Sequence, residues 1–201
     1  MKLEVNKQSS ICVNDCIFFD PLDIDENKKA KYIFITHPHW DHFSVKDINK
    51  ILTKETIIIC PRTMEKDVVN FDNKIVLVEP EKNYELPDLN FSTFYSYNIG
   101  KQYHPKENKW VGYSVEIENK IVVVTGDSDN TPELRKLKAD ILFLPIGGKF
   151  TMNVKEAIDL TNTINPKKVV PTHYGEIVGN NEMGKEFFSL LNKDIDCEIL
   201  L

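Results

Sequence analysis

The stretch His37-Pro38-His39-Trp40-Asp41-His42 comes one residue after the apolar run Tyr32-Ile33-Phe34-Ile35, which predicts a short buried strand. Three imidazoles and a carboxylate at the end of that strand supply the nitrogen and oxygen donors that suit zinc and similar divalent metals. In an extended segment, side chains two positions apart project to the same side, so His37 and His39 can bind one ion. Asp41 and His42 lie beyond the strand and can turn toward a second ion. The stretch therefore predicts a site for two metals.

Composition limits the architecture and the function classes. A chain of 201 residues can bury roughly 70% of the surface of its unfolded form, and we predict a single domain over residues 1–201. The net charge of −6 argues against a broad basic face, so no nucleic-acid partner is expected. Residues 1–10 are polar and no stretch approaches the ~20 apolar residues of a membrane span. These features predict a cytoplasmic protein.

The rest of the chain predicts strands alternating with helices, which is typical of an α/β fold. The predicted strands cover residues 3–5, 10–13, 16–19, 32–35, 56–60, 75–78, 84–86, 90–95, 111–117, 121–125, 141–144, 168–171 and 198–201. The predicted helices are residues 45–52 with Ser44 as N-cap, one opening at Pro61, a short one at 132–137, and two at 154–164 and 182–191. A charged loop covers residues 23–31.

Further candidate ligands stand at the ends of later strands. Gly126-Asp127-Ser128-Asp129 ends the apolar strand at 121–125, and glycine allows a sharp turn that aims Asp127 at the same rim. On local sequence alone, an ordinary turn aspartate is the alternative for Asp127. We expect Asp129 to cap the short helix at 132–137. His104 lies in a polar loop and His173 follows the strand at 168–171, so each of the five histidines lies near a predicted strand end or in a loop between strands.

The motif at residues 37–42 resembles the signature of the metallo-β-lactamase superfamily, whose members carry paired metal ions. The resemblance extends from Asp20-Pro21 to His173-Tyr174, with Gly126-Asp127-Ser128 in the place of the second motif. It implies a four-layer αββα sandwich of two mixed β-sheets flanked by helices. The chain departs from many relatives near the first turn, where Gln8-Ser9-Ser10 replaces a Gly-His pair.

The resemblance also implies a ligand set. The first ion would be held by His37, His39 and His104, the second by Asp41, His42 and His173, and Asp127 would bridge both. Asn98 is an alternative to His104 in the loop of variable length, although asparagine is a poor zinc ligand and histidine a good one. Asp20 either orients a metal-binding histidine or forms a turn before Pro21.

Within the superfamily, the segments at 145–152 and 171–174 look most like the compact branch that includes ascorbate-6-phosphate lactonase and N-acyl-phosphatidylethanolamine-hydrolysing phospholipase D. This resemblance implies a dinuclear metal-dependent hydrolase that cleaves an ester, lactone or phosphoester in a small-molecule substrate. The expected cofactors are two divalent ions, with zinc favoured and manganese or iron as the alternatives. The ions would lower the pKa of a bridging water toward ~7 and provide hydroxide.

Particular residues would assist this chemistry. Asp127 would hold the hydroxide, and Asp41 would pass a proton to the leaving group. Lys149 and Tyr174 follow the site loops, and we expect them either to contact an anionic substrate or the developing oxyanion, or to be surface residues. Trp40 and Trp110 are expected to be packing residues rather than pocket walls.

Two other functions share this sequence pattern. Some superfamily relatives use the same ligand set with iron to reduce oxygen or nitric oxide, but those relatives usually have an acidic residue in the place of His39 and depend on a flavin domain. The other alternative is a metal-binding module that catalyses nothing. Metal analysis and substitution of Asp127 separate these alternatives from a hydrolase.

Overall fold

Two mixed β-sheets form the centre of the computed structural model, which describes residues 1–25 and 27–201. Glu26, in the predicted charged loop, lies outside the described residues. The first sheet contains, side by side in chain order, β1 (Leu3–Val5), β2 (Ile11–Val13), β3 (Ile17–Phe19), β4 (Tyr32–Phe34), β5 (Ile57–Pro61) and β6 (Lys74–Val78). The first three strands are antiparallel, and β3 to β6 are parallel.

The second sheet has seven described strands, which also lie side by side in chain order. They are β7 (Asn83–Leu86), β8 (Leu89–Tyr95), β9 (Val111–Ile117), β10 (Lys120–Val124), β11 (Ile141–Pro145), β12 (Lys168–Thr172) and β13 (Asp196–Cys197). Strands β7 to β10 form an antiparallel meander, and β10 to β13 are parallel. Three α-helices are described: α1 (Val45–Ile51), α2 (Val154–Ile164) and α3 (Glu182–Leu190).

Successive side chains of each strand point to opposite faces of its sheet, and both faces are covered, which gives four layers. On β4, Tyr32 and Phe34 point into an apolar core between the two sheets, whereas Ile33 points outward to a second core that contains Ile48 and Ile51 of α1. The outer face of the second sheet is covered in the same way by α2 and α3. The structure therefore confirms the predicted αββα sandwich.

The packing between the sheets is dominated by aromatic rings. Phe34 stacks on Phe19 with ring centroids 4.9 Å apart, and it meets Tyr113 of β9 edge-on at 5.0 Å. The hydroxyl of Tyr113 donates a hydrogen bond of 2.7 Å to the carbonyl of Ile35, just beyond the end of β4. Because Ile35 lies two residues before His37, this bond holds the start of the histidine motif against the second sheet.

Parallel pairing brings several strand ends to one edge. The carboxyl end of β4 is aligned with those of β3 and β5, and the carboxyl ends of β10, β11 and β12 are aligned in the second sheet. The backbone N–H of Val111 donates to the carbonyl of Thr36, and that of His173 donates to the carbonyl of Gln8. These two bonds connect the corresponding edges of the two sheets.

Three predicted elements were wrong. The helix opening at Pro61 is only a 3₁₀ turn at Arg62–Met64, because Pro61 still pairs with Val78 in the sheet. The helix at 132–137 is likewise a 3₁₀ turn, Leu134–Lys136. The last strand is Asp196–Cys197 rather than residues 198–201, because only these residues pair with β12. Across the described residues, we find no helix with the length and apolar character needed to cross a bilayer.

Candidate metal centre

Four chain segments deliver the predicted ligands to the shared edge. His37 follows β4, His104 lies between β8 and β9, Asp127 follows β10 and His173 follows β12. The turn before Asp127 requires glycine, because Gly126 has a φ of +62° and a Cβ there would lie 3.0 Å from the hydroxyl of Ser96. The predicted role of that glycine in turning the chain is therefore confirmed.

A first group of ligand atoms consists of three imidazole nitrogens. The Nε2 atom of His37 lies 3.0 Å from Nδ1 of His39, which lies 3.1 Å from Nε2 of His104. All three could serve one ion, since their ligand atoms lie within 4.8 Å of one another. His104 approaches from a loop 65 positions away in sequence from His39. The fold therefore brings together the three histidines that the sequence assigned to the first ion.

A second group of possible ligands consists of Asp41, His42 and His173. The Oδ2 atom of Asp41 is 3.3 Å from Nε2 of His173 and 3.7 Å from Nε2 of His42. His42 and His173 are fully buried, whereas Asp41 is slightly exposed to the cleft above the group. This is the set of residues that the sequence assigned to the second ion.

Asp127 lies between the two groups. Its Oδ1 atom is 3.3 Å from Nε2 of His42, and its Oδ2 atom is 3.1 Å from Nε2 of His173 and 3.5 Å from Nε2 of His104. One carboxylate therefore faces histidines of both groups. This is the position that a bridging ligand requires.

The donor atoms fit divalent ions. His42 Nε2, His173 Nε2 and Asp127 Oδ1 are buried and form no hydrogen bond, so each has an unsatisfied lone pair or proton directed at its neighbours. Ligands bound at 2.0–2.1 Å in a tetrahedron are separated by roughly 3.3 Å. The measured separations of 3.0 to 3.7 Å bracket that value. The site thus matches ions such as zinc in both chemistry and spacing.

Asp20 and Thr36 fix the proton positions of two histidines. Asp20 is fully buried and accepts hydrogen bonds from Nδ1 of His42 at 2.8 Å and from the hydroxyl of Thr36 at 2.6 Å. Since the Thr36 hydroxyl donates to Asp20, it can accept from Nδ1 of His37, which lies 2.9 Å away. In the neutral form of both rings, the proton therefore lies on Nδ1 and the lone pair of Nε2 faces the site. Of the two roles predicted for Asp20, the structure supports the orientation of a histidine; the contribution of Thr36 was not predicted.

Burial and charge divide the five imidazoles into two classes, and His39 belongs with those whose pKa burial lowers. Burial lowers the pKa of His37 well below its usual value and that of His104 to about 4, so both are neutral at pH 7. At His173, burial is the largest influence and opposes protonation, but the interactions with Asp127 and Asp41 together outweigh it and raise the pKa to about 9. The carboxylates of Asp127 and Asp20 raise the pKa of His42 in the same way. Without an ion, the second group therefore holds protons at neutral pH.

Metal binding should consequently release protons. A histidine ligand must be neutral, and His173, with a pKa of about 9, is protonated at pH 7 in the metal-free protein. We expect the dissociation constant for zinc to fall about tenfold per pH unit between about pH 7 and about pH 8 for each proton displaced. Calorimetric titrations in buffers of different ionisation enthalpy count the protons. An affinity that does not change with pH contradicts the proposed second ligand group.

Asn98 lies behind His104 rather than in the site. Its Nδ2 atom is 3.2 Å from Nδ1 of His104 and also donates to the carbonyl of Phe150. Asp129 does not cap a helix as predicted; it accepts a hydrogen bond of 2.8 Å from the backbone of Ile99 and pairs with Lys101. Both side chains hold the loop that carries His104. Of the two candidates for the third ligand, only His104 reaches the other histidines.

Tyr174 and Lys149 lie away from the ligand cluster. Tyr174 follows His173, and its side chain projects into the apolar core beneath α3, where its hydroxyl lies 3.4 Å from the carbonyl of Leu201. The expected contact with substrate is therefore wrong for Tyr174. Lys149 is exposed, with Nζ 4.9 Å from the ring centroid of Phe150. Phe150, rather than Lys149, lines the cleft.

A cleft of about 240 Å³ opens above the ligand groups. Its floor is formed by His39, Asp41, His104, Asp127 and His173, and its walls by Trp40, Tyr103, Phe150, Ile177 and Val178. Trp40 is 66% exposed, so the expectation that it is a packing residue was wrong. Trp110 lies behind the first group, with its ring 4.9 Å from those of His37 and His39. The walls come from loops, and apolar character is the one feature of their sequence that pointed to a wall.

Comparison with known proteins agrees with this geometry. Residues 9–173, which contain all five histidines, match the family described as a beta-lactamase superfamily domain. A UPF0173 protein from Pyrococcus abyssi is 32% identical over 84% of this chain and 79% of its own length. A UPF0173 metal-dependent hydrolase from Caldivirga maquilingensis is 28% identical, over 85% of this chain and 75% of its own length. The crystal structure of a protein from Parabacteroides distasonis, 27% identical, superposes with a TM-score of 0.82 over 96% of this chain and 89% of that one.

Proposed function

The chain belongs to the metallo-β-lactamase superfamily, and from that premise we propose that it is a hydrolase that depends on two divalent metal ions. The ions would be held by the residues of the two groups: His37, His39 and His104 for one, Asp41, His42 and His173 for the other, with Asp127 between them. A relative from Caldivirga maquilingensis bears the name metal-dependent hydrolase. The substrate would be a small molecule with an ester, lactone or phosphoester bond.

One observation carries this proposal. Five imidazoles and two carboxylates from four separate segments converge, and four of their buried atoms, two of them on His173, have no hydrogen-bond partner. A cluster kept only for stability would satisfy those atoms, because an unpaired buried polar group costs about 1–3 kcal/mol. Zinc is favoured because most of the donors are imidazole nitrogens, and manganese or iron are the alternatives.

Ions bound there would lower the pKa of water toward neutrality and polarise the oxygen of the bond under attack. The residues of the chain have separate tasks. Asp127, buried and with a pKa held well below its usual range by His173 and His42 in spite of burial, stays ionised and can position the attacking water. Asp41 is the carboxylate beside the cleft opening, where it can pass a proton to the leaving group. Asp20 and Thr36 accept hydrogen bonds from Nδ1 of His42 and His37, respectively, so that the neutral rings offer the lone pair of Nε2 to an ion.

The proposal is tested by metal-dependent turnover. We expect chelated protein to be inactive toward p-nitrophenyl esters and bis(p-nitrophenyl) phosphate, and we expect zinc, manganese or iron to restore hydrolysis of at least one of them. Elemental analysis of protein purified without added metal then identifies the retained ion. Retained iron with visible absorption and no hydrolysis of any substrate contradicts the proposal and favours redox chemistry.

A further inference from the structure

The walls of the cleft are unusually apolar for a site built on charged ligands. Trp40, Tyr103 and Ile177 are 66%, 46% and 40% exposed, and all three line the same opening. The ring of Tyr103 packs edge-on against Phe150, with centroids 4.8 Å apart. Single exposed apolar side chains are common on protein surfaces, but several that form one exposed patch indicate a binding surface. The patch surrounds the candidate metal ligands, so a small molecule bound to the patch would lie directly over them.

Apart from the histidines, the charged residues in the described lining of the cleft are acidic rather than basic. Among the described residues that line it, none is lysine or arginine, and two are the carboxylates Asp41 and Asp127. Lys149 is exposed beside Phe150 but does not line the cleft, and two lysines of the loop that carries His104 are paired elsewhere. Lys101 pairs with Asp129 and donates to the carbonyl of Thr151, and Lys106 pairs with Glu133. An anionic substituent away from the reacting bond would therefore lose its water without gaining a cationic partner.

The volume limits the part of the ligand that the cleft can enclose. Pockets for drug-sized ligands usually measure about 300–1,000 Å³, and this cleft measures about 240 Å³. It therefore accommodates a reacting group over the ligand atoms and one further small group, such as a phenyl ring or a branched alkyl chain, against the walls.

We propose that the substrate is an uncharged carboxylic ester or lactone that carries a small aromatic or branched apolar group. This inference rests on the proposed hydrolase function and narrows it, because it excludes substrates with an anionic group away from the reacting bond. In the reaction, the oxygen of water bonds to the acyl carbon and the acyl C–O bond breaks. The alcohol leaves with one proton of that water, which Asp41 can deliver, and the acid product ionises with loss of the other.

Substrates with a common leaving group test the proposal. The zinc-loaded protein would be assayed with the p-nitrophenyl esters of acetic, phenylacetic and succinic acid, the last carrying a free carboxylate, and with p-nitrophenyl phosphate. We expect kcat/KM for the phenylacetate to exceed that for the acetate by about 10- to 100-fold, because the ring is partly buried on the walls. The succinate and phosphate esters should be poorer than the acetate.

The outcomes distinguish the two proposals. A preference for the succinate or phosphate ester, or equal rates for phenylacetate and acetate, overturns the inference but leaves the hydrolase function intact. Failure of the metal-loaded protein to hydrolyse any of these esters or bis(p-nitrophenyl) phosphate overturns the hydrolase function itself.

Two surface variants test whether the cleft wall causes the preference for the phenylacetate ester. Ile177→Ser removes an apolar side chain from the wall without touching a ligand, and it should reduce the ratio of phenylacetate to acetate kcat/KM by about 3- to 10-fold. Phe188→Ser is the matched control, because Phe188 is 60% exposed on α3 and does not line the cleft. An unchanged ratio in Ile177→Ser, with a folded protein, contradicts the proposal.

Discussion

Asp127→Ala is expected to abolish tight binding of at least one ion and to lower kcat/KM about a thousandfold or more. Asp127 faces His42, His104 and His173 at 3.1 to 3.5 Å, so its removal takes a ligand from both groups at once. An ion contributes several kcal/mol to transition-state stabilisation, and each 1.36 kcal/mol corresponds to about a factor of ten in rate. The measurements are zinc content after dialysis and kcat/KM for the best ester.

Two further variants make this result interpretable. Asp127→Asn keeps the shape of the side chain but loses its charge, so we expect most of the same loss. Asp194→Ala removes an exposed carboxylate near the C-terminal end and controls for the change in net charge. Circular dichroism confirms that each variant is folded. Full zinc content and unchanged activity in folded Asp127→Ala would show that Asp127 does not bridge the ions and would favour a site without catalytic function.

Asp20→Asn should weaken zinc binding about 10- to 100-fold, although Asp20 itself is not assigned as a ligand. Asp20 accepts three hydrogen bonds, from the backbone and hydroxyl of Thr36 and from Nδ1 of His42. Asparagine offers one oxygen and one NH₂ group in the same space, so at least one of these donors loses its acceptor. If the NH₂ group faces His42, Nδ1 of the imidazole must accept a hydrogen bond and the ring proton moves to Nε2. A protonated Nε2 has no lone pair for a metal ion.

Asp47→Asn provides the matched control for Asp20→Asn. Asp47 is also a buried aspartate, and it accepts hydrogen bonds from Ser44 at 2.7 Å and from Lys50 at 2.8 Å at the start of α1. Both substitutions should lower the free energy of unfolding, but only Asp20→Asn should change the affinity for zinc, measured by competition with a chelator. Equal zinc affinities for the two variants would mean that Asp20 stabilises the fold without orienting His42.

Much of the site could be predicted because its ligands follow strong strand signals. The apolar strands before His37, Asp127 and His173 are recognisable from sequence, and parallel strands place their carboxyl ends at one edge. The glycine before Asp127 gave a further local reason for the turn. His104 was harder to assign because it lies in a loop, and its position depends on long-range contacts such as that between Asp129 and Ile99.

The errors share a physical cause, which is that tertiary contacts decide short or irregular segments. Pro61 is compatible with the first turn of a helix, but pairing with β6 keeps it in the sheet. Tyr174 adjoins a ligand in sequence, yet successive side chains diverge at the end of β12 and its ring enters the core. The cleft walls Tyr103, Phe150 and Ile177 come from separate loops, and no local pattern indicates that they meet.

The number and position of bound ions test the central claim most directly. Protein loaded with zinc, dialysed and crystallised should contain two zinc equivalents per chain by elemental analysis. Anomalous scattering should place one ion among His37, His39 and His104 and the other among Asp41, His42 and His173, with Asp127 contacting both. Zinc bound elsewhere, or a chain that retains none under these conditions, would contradict the two-ion site and the hydrolase chemistry proposed for it.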